Sequence, residues 1–189
     1  MTSNVRILSD CLVGKGWGEL RDYTVTFQTE NGEALTLQRE CYHRGDAAAV
    51  LPFNRHRGTV LLVRQLRLGA LLGGDNPFIL EAPAGGLDGE SPERCAEKEA
   101  MEETGCRIFN LQAVAQLYAM PAAATEKVYL FLADYDEHPR KTAGLAEEGE
   151  FIDVVELTVN EALDMIASNT IIDMKTVVLL QTLALREKS

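Results

Sequence analysis

The sequence lacks the features of a membrane protein, a secreted protein or a basic nucleic-acid-binding protein. Its longest apolar runs fall far short of the roughly 20 residues that a membrane helix needs. The first residues lack the charged-then-apolar layout of a secretion signal, so we expect a soluble cytoplasmic protein. Basic residues are too few for a basic surface, because 18 Lys and Arg face 29 Asp and Glu, for a net charge of −11. An anionic ligand would therefore need a metal ion or a few well-placed cations.

Cysteine and histidine are also scarce. The four cysteines have no CxxC spacing and no paired histidines near them, so we expect free thiols and no zinc site. The three histidines are isolated and are interpreted as ordinary surface residues. A length of 189 residues with 46% apolar residues suits one globular domain, or one domain with a small extension.

The N-terminal part of the chain predicts a β hairpin. Residues 23–28 and 34–42 read as strands joined by an Asn-Gly turn at 31–32, whereas residues 5–20 carry little pattern. We therefore predict an antiparallel β extension over residues 1–44. A hairpin of this size is marginal alone in water, which favours a homodimer.

The remaining residues, 45–189, predict the main domain. Polar residues 136–149 predict a loop, and Thr158 and Glu161 form a capping box that opens a helix to Ala167. Further strands are predicted at 47–53, 59–63, 78–82, 111–118, 127–133 and 151–157, and a last amphipathic helix at 173–187. Strands on both sides of a central helix, with two helices at the end, predict an α/β fold with a mixed sheet between helical layers.

The central helix follows a glycine-bearing loop within residues 83–106. Ser91 suits the N-cap, Pro92 the first helical position and Gly105 the stop. Three glutamates of this helix, spaced i, i+3 and i+4, share one arc: Glu99, Glu102 and Glu103. Such like charges repel unless a hard divalent cation offsets them, and the alternative is a solvated acidic face.

These residues resemble the Nudix box, Gly-x5-Glu-x7-Arg-Glu-U-x-Glu-Glu-x-Gly-U, in which U is aliphatic. Glu90, seven intervening residues and the run 98–106 reproduce its second half. Three positions depart from it: the loop is one residue short, Lys98 replaces arginine and Cys106 replaces an aliphatic residue. Lys98 keeps a cation that could hold a neighbouring glutamate such as Glu90, but without the arginine fork.

The resemblance implies a Nudix-like α/β/α sandwich and hydrolysis of a nucleoside diphosphate linked to another moiety. It implies Mg²⁺ as cofactor, with Mn²⁺ as the alternative. The implied metal ligands are the Ala84 carbonyl, Glu99, Glu102, Glu103 and Glu150. The implied catalytic residues are Glu150, Glu148 and Glu103, with Glu147 a further candidate for general base; a merely solvated acidic loop is the alternative for 147–150.

The flanks resemble the ADP-ribose and nucleotide-sugar pyrophosphatase branch of the family. Pro121, fifteen residues past Cys106, and the pair Thr125-Glu126 match that branch, although Ala122 replaces its usual glycine. Residues 39–45, 63–67 and 173–176 are similar to members that cleave GDP-mannose, in which the N-terminal hairpin is exchanged between two subunits. The implied substrate-binding residues are Trp17, Arg39, Glu40, Arg67, Gly85, Gly86, Glu126 and Lys175.

Several of these assignments have structural alternatives. Arg39 and Arg67 could be surface ion pairs, and Trp17 could belong to the core of the hairpin instead of stacking on a base. We expect a nucleotide-sugar substrate, with GDP-mannose first and ADP-ribose as the alternative. A non-catalytic nucleotide-binding module is the remote alternative, because such modules usually lose glutamates that this chain keeps. No nucleic-acid or membrane partner is expected.

Overall fold

The computed structural model describes residues 4–136, 138–139, 142–143 and 151–188. The chain divides into two compact units. The first comprises Met1–Asp46 and Tyr118–Lys127, and the second comprises Ala47–Leu117 and Val128–Ser189.

The first unit contains a three-stranded antiparallel sheet in the order β1-β2-β3. Its strands are β1 (Arg6–Lys15), β2 (Glu19–Gln28) and β3 (Ala34–His43). The predicted hairpin corresponds to β2 and β3, whereas β1 was missed and β2 begins four residues earlier than predicted. All ten residues of β1 are exposed, so this strand has no buried face to impose the alternation that predicts a strand.

The segment from Tyr118 to Lys127 lies along the end of β3. Tyr42 donates its N–H to the Ala123 carbonyl (2.8 Å), and its own carbonyl accepts from the Thr125 N–H (3.1 Å). The turn before this contact closes on the Met120 carbonyl, which accepts from the N–H groups of Ala123 and Ala124. The turn therefore forms with alanine at 122, and it fixes Thr125 beside β3.

The second unit contains an eight-stranded mixed sheet. Its main order is β10-β11-β5-β4-β9-β8, with β6 paired to β5 and β7 paired to β4. The strands are β4 (Ala47–Asn54), β5 (Thr59–Leu66), β6 (Phe78–Glu81), β7 (Ala84–Gly86), β8 (Phe109–Tyr118), β9 (Lys127–Asp134), β10 (Thr142–Ala143) and β11 (Ile152–Thr158). β4 and β9 run parallel, whereas β4 runs antiparallel to β5 and β7.

Helices cover both faces of this sheet. They are α1 (Leu68–Gly73), α2 (Pro92–Thr104), α3 (Val159–Ala167) and α4 (Met174–Arg186). Ala96 and Ala100 of α2 pack with Val50 on one face, and Leu180 of α4 packs with Leu51 on the other. The predicted α/β/α sandwich with a mixed sheet is therefore confirmed. Within the described residues, no helix is long and apolar enough to cross a membrane.

Candidate active site

Helix α2 begins and ends where the sequence predicts. The Ser91 hydroxyl accepts the N–H of Arg94 (3.3 Å), and Pro92 is the first helical residue. At the other end, Gly105 adopts a φ of 72° and donates its N–H to the Met101 carbonyl (2.9 Å). A left-handed residue of this kind ends helices and favours glycine. These caps fix the register of the three glutamates.

The three glutamates differ in exposure. Glu103 is only 5% exposed, whereas the side chains of Glu99 and Glu102 are 13% and 39% exposed. Lys98 Nζ lies 3.9 Å from Glu102 and 4.0 Å from Glu99, and the charges of these two carboxylates raise the pKa of Lys98. The predicted Glu90–Lys98 ion pair is absent among the described residues; Glu90 is exposed instead.

The glycine loop lies directly against α2. Ala84 is held in β7 opposite Ala49, and its N–H donates to Glu103 Oε2 at 3.1 Å. A Cβ atom at Gly85 would overlap the carboxylate of Glu99, so only glycine permits this approach. Loop and helix thus bring Ala84, Glu99 and Glu103 together.

Cys95 of α2 also contacts the glycine loop. Its thiol lies 3.5 Å from the Gly85 carbonyl and 3.4 Å from the Gly86 carbonyl, and it donates to them. Burial, followed by the charge of Glu99, raises the pKa of Cys95 to about 11. The thiol therefore stays protonated and remains a donor at neutral pH. All four cysteines are free, as predicted.

Two predicted cations converge on a carboxylate that the sequence analysis did not select. Glu81, at the end of β6, is 3% exposed. Arg67 donates to it through Nε (2.9 Å) and Nη2 (2.6 Å), and Lys175 Nζ lies 3.5 Å from it. Gln65 Nε2 lies 3.4 Å from both Glu81 and Glu103, so the amide connects the cations to the glutamates of α2.

The electrostatics of this cluster favour charged side chains. Burial opposes the charge of Arg67, but the hydrogen bonds and charge of Glu81 outweigh it, so the pKa of Arg67 is raised. Three carboxylates, those of Glu81, Glu103 and Asp173, surround two cations. An anionic ligand would meet net negative charge here unless a further cation is bound.

The start of α4 positions Lys175. Asp173 is the N-cap, and its carboxylate accepts the N–H (3.0 Å) and hydroxyl (2.5 Å) of Thr176. The buried Thr176 oxygen in turn accepts the N–H of Ala82 (2.7 Å), which ties the helix to the end of β6. Lys175 Nζ lies 2.9 Å from Asp173, so its position follows from the cap.

In the first unit, Arg44 links Trp17 and Glu126, two of the predicted substrate-binding residues. The Arg44 guanidinium lies 4.0 Å from the ring centroid of Trp17, and its Nε lies 3.4 Å from Glu126 Oε1. The Trp17 side chain is otherwise open, with the residue 82% exposed. Trp17 is therefore not part of a hairpin core, and an exposed indole is available for stacking.

Arg39 and Glu40, the other two predicted substrate-binding residues of this unit, lie on β3 and are exposed. Arg39 donates through Nη1 to the Gln38 carbonyl (2.8 Å), and Glu40 lies opposite Asp22 in the register with β2. Within the described part of the chain, no hydrogen bond or ion pair joins either residue to the group of Trp17, Arg44 and Glu126.

The predicted metal ligands that the structure describes are oxygen donors, which suit a hard divalent cation. Glu99 and Glu103 lie one turn apart beside Ala84, and carboxylate and carbonyl oxygens are the donors that such a cation prefers. Across residues 4–136 and the other described segments, no three acidic, cysteine or histidine side chains converge closely enough to enclose an ion. Glu147, Glu148 and Glu150 lie outside the described residues. The described donors therefore fit the cation in chemical type, but these side chains alone do not enclose it.

Sequence reasoning missed Glu81 and Arg44, although each left a signal. Glu81 is a single charge within an otherwise apolar strand, which is costly unless the charge is paired. Arg44 belongs to the same short run as Arg39. Neither pattern specifies the partner, because the contacts of Glu81 come from the end of β5, from Arg67 just after it, and from α4.

A glycine loop packed on a glutamate-bearing helix, within an α/β/α sandwich, is the arrangement that the Nudix resemblance implies. The family model described as the NUDIX domain matches residues 43–176. The chain therefore belongs to the Nudix family. Nudix hydrolases generally use divalent metal ions.

Named relatives extend this assignment over nearly the whole chain. A GDP-mannose pyrophosphatase of Cronobacter sakazakii is 41% identical over 188 residues, covering 98% of both chains. Proteins of the same name from Klebsiella pneumoniae and Yersinia pestis are 38% and 42% identical, covering 97% and 90% of this chain and 93% and 86% of theirs. A solved ADP compounds hydrolase shares the fold, with a TM-score of 0.74, 21% identity, and coverage of 97% of this chain and 94% of that one. The predictions of family and of a Nudix pyrophosphohydrolase are confirmed.

Proposed function

We propose that the protein hydrolyses the pyrophosphate bond of a nucleotide sugar, with GDP-mannose converted to GMP and mannose 1-phosphate. The observation that carries this proposal is the contact of the glycine loop with α2, where Ala84 N–H meets Glu103 and Gly85 meets Glu99. The relatives named GDP-mannose pyrophosphatase support this choice of substrate.

Mg²⁺ is the proposed cofactor, with Mn²⁺ as the alternative. Glu99, Glu103 and the Ala84 carbonyl would hold it, joined by Glu102 and Glu150. When bound, such a cation supplies the positive charge that lets water approach a negatively charged pyrophosphate. A net charge of −11 makes this supply necessary.

Water that attacks a phosphorus atom must lose a proton, and Glu150 is our first candidate to accept it. Glu148 is the second candidate, and Glu147 the third. All three carry the carboxylate that general base catalysis requires. Glu150→Gln, Glu148→Gln and Glu147→Gln, assayed separately, distinguish them, because only the loss of the base should remove the acidic limb of the pH–rate profile, where activity rises as the base loses its proton.

The remaining proposed substrate contacts are assigned residue by residue. Trp17 would stack on the base, as its 82% exposure allows. Arg67 and Lys175 would contact phosphate oxygens, and Glu126 the sugar. Arg39 and Glu40 on β3 and the backbone of Gly85 and Gly86 complete the proposed set.

The main alternative is an ADP-ribose pyrophosphatase that gives AMP and ribose 5-phosphate. The same glutamates would perform that reaction, so the α2 site does not separate the two substrates. A binding module without catalysis is less favoured, because Glu99, Glu102 and Glu103 are all retained.

A substrate panel tests these alternatives. Purified protein would be assayed with and without Mg²⁺ on GDP-mannose, GDP-glucose, ADP-ribose, ADP-glucose and NADH. We expect the highest kcat/KM for GDP-mannose. A higher value for ADP-ribose would keep the chemistry and change the substrate, whereas no nucleoside monophosphate from any compound would refute the proposal.

We also propose a homodimer in which the N-terminal β extension is exchanged. The support lies in β1, where Ile7, Leu8, Leu12 and Val13 are each more than half exposed. Aliphatic residues grouped in this way on a soluble domain indicate a covered surface. Sedimentation velocity at micromolar concentration should show a dimer, and a monomer would contradict the proposal.

A further inference from the structure

Glu81 is a buried carboxylate whose partners, Arg67 and Lys175, are the two cations of the second unit proposed to contact phosphate. It is 3% exposed and ends β6, where Ile79 and Leu80 are apolar. Removing such a charge from water is costly, and a well-packed apolar residue often stabilises a fold better than a buried ion pair. Packing alone therefore gives no reason for glutamate here.

The geometry of the Arg67 pair keeps one edge of the guanidinium available. Arg67 meets Glu81 side-on, through Nε and Nη2. This pairing leaves the end-on fork of Nη1 and Nη2, which matches two oxygens of a second anion such as a phosphate. The Arg67 side chain is 41% exposed, so this fork can be reached from solvent.

Lys175 is fixed by the same carboxylate from another element. Its Nζ lies 3.5 Å from Glu81 and 2.9 Å from Asp173, and its side chain is 18% exposed. Without these contacts, each long cationic side chain would lose considerable rotamer entropy when it ordered around a ligand. A shared carboxylate orders both cations beforehand, and such preorganisation increases affinity.

We propose that Glu81 is a positioning residue that holds Arg67 and Lys175 as one preformed phosphate-binding pair. This inference rests on the proposed function, because it takes the diphosphate of the substrate as the ligand. Gln65 extends the arrangement, since its amide lies 3.4 Å from both Glu81 and Glu103. The pair is therefore linked through Gln65 to Glu103 of α2.

A double-mutant cycle tests the inference by measuring the binding of GDP instead of the hydrolysis of a substrate. The dissociation constant of GDP would be measured by calorimetry, in EDTA and again with Mg²⁺, for wild type, Glu81→Gln, Arg67→Ala and the double variant. We expect Glu81→Gln to weaken GDP binding about tenfold, as ordering of two side chains is lost. Because Glu81 acts through Arg67, the double variant should be weakened by much less than the product of the two single effects.

Glu156→Gln is the matched control. Glu156 is likewise paired with an arginine, Arg57, at 2.9 Å, but it is only partly buried and lies outside the proposed site. This variant should lose thermal stability and bind GDP like wild type. If Glu81→Gln does not fold, Glu81→Asp retains the charge but shortens the reach by one methylene, and the same weakening is expected.

Three results would overturn the inference. They are unchanged GDP affinity in a folded Glu81 variant, effects of Glu81→Gln and Arg67→Ala that multiply in the double variant, and no GDP binding by wild type in the presence of Mg²⁺. The proposed function is tested separately by hydrolysis. A wild type that binds GDP with the expected coupling but cleaves no nucleotide sugar refutes the function and leaves the inference standing. If wild type cleaves a nucleotide sugar but the effects of the two substitutions on GDP binding multiply, the function stands and the inference is refuted.

Discussion

Gly85→Ala places a methyl group where the Glu99 carboxylate lies. The substitution causes no backbone strain, because Gly85 does not adopt a left-handed φ. The Glu99 side chain is flexible and must withdraw by roughly 1 Å to restore an ordinary contact distance. The cost of the new side-chain conformation is about 1 kcal/mol, partly offset by the lower entropy of the unfolded alanine variant. We therefore expect a melting temperature within a few degrees of wild type.

The effect on catalysis should be much larger than the effect on stability. Glu99 is a proposed metal ligand, and displacing a group of an active site by about 1 Å can reduce the rate about 100-fold. The assay is kcat for GDP-mannose with saturating Mg²⁺, together with thermal unfolding. In an Mg²⁺ titration, the concentration of Mg²⁺ that gives half-maximal activity should also be higher for the variant than for wild type.

Gly73→Ala is the matched control for this prediction. It makes the same chemical change in α1, where the nearest atom to the new methyl group would be Asp75 Oδ2 at 3.9 Å. It should keep full activity. Gly85→Ala with kcat within about threefold of wild type would refute the reasoning, because the close approach of loop and Glu99 would then have no catalytic consequence.

Two further predictions concern single carboxylates. Glu103→Gln should reduce kcat at least about 1,000-fold, because the bound cation loses a charged ligand worth several kcal/mol, while the side-chain shape is kept. Glu156→Gln should lower stability by about 1–2 kcal/mol at pH 7, because the carboxylate accepts hydrogen bonds from Thr59 (2.7 Å) and Tyr135 (2.8 Å). Burial opposes ionisation of Glu156, but the hydrogen bonds of Thr59, Tyr135 and Arg57 outweigh it and lower its pKa from 4.5. Its stabilisation is therefore present above about pH 4.5 and lost as pH falls through the lower folded pKa.

Each of these predictions has a control and a contrary result. Glu97→Gln, at an exposed position of α2, should leave kcat and the fold unchanged; an active Glu103→Gln protein would show that the metal site is misplaced. For Glu156→Gln, the difference in melting temperature from wild type should shrink on acidification. A difference that stays constant between pH 7 and pH 3 would contradict the assigned cause.

The elements that the sequence predicted are those with a strong local pattern. Helix α2 carries its own caps in Ser91 and Gly105, and α3 carries the capping box of Thr158 and Glu161, whose two hydrogen bonds are both present. β4 is an unbroken apolar run that is buried throughout. Each signal depends on neighbours in the sequence, so it can be read without the fold.

The features that could not be predicted are exposed elements without an apolar pattern and contacts between residues far apart in the sequence. β1 has no buried face, and α1 spans only six residues with no buried side chain. Neither segment therefore shows a periodic pattern of apolar residues in the sequence. The partners of Glu81 come from the end of β5 and from α4, which lie on either side of it in sequence and meet only in the folded chain. Likewise, Arg44 meets Glu126 because Tyr42 binds the segment from 118 to 127.

The most direct test of the central claim is identification of the bond that is cleaved. GDP-mannose would be incubated with the protein and Mg²⁺ in H₂¹⁸O, with Glu103→Gln and EDTA as parallel controls, and the products analysed by mass spectrometry. We predict GMP and mannose 1-phosphate, with ¹⁸O in one of the two phosphates, and no products in either control. GDP with free mannose, or no metal-dependent product at all, would contradict hydrolysis of the pyrophosphate bond.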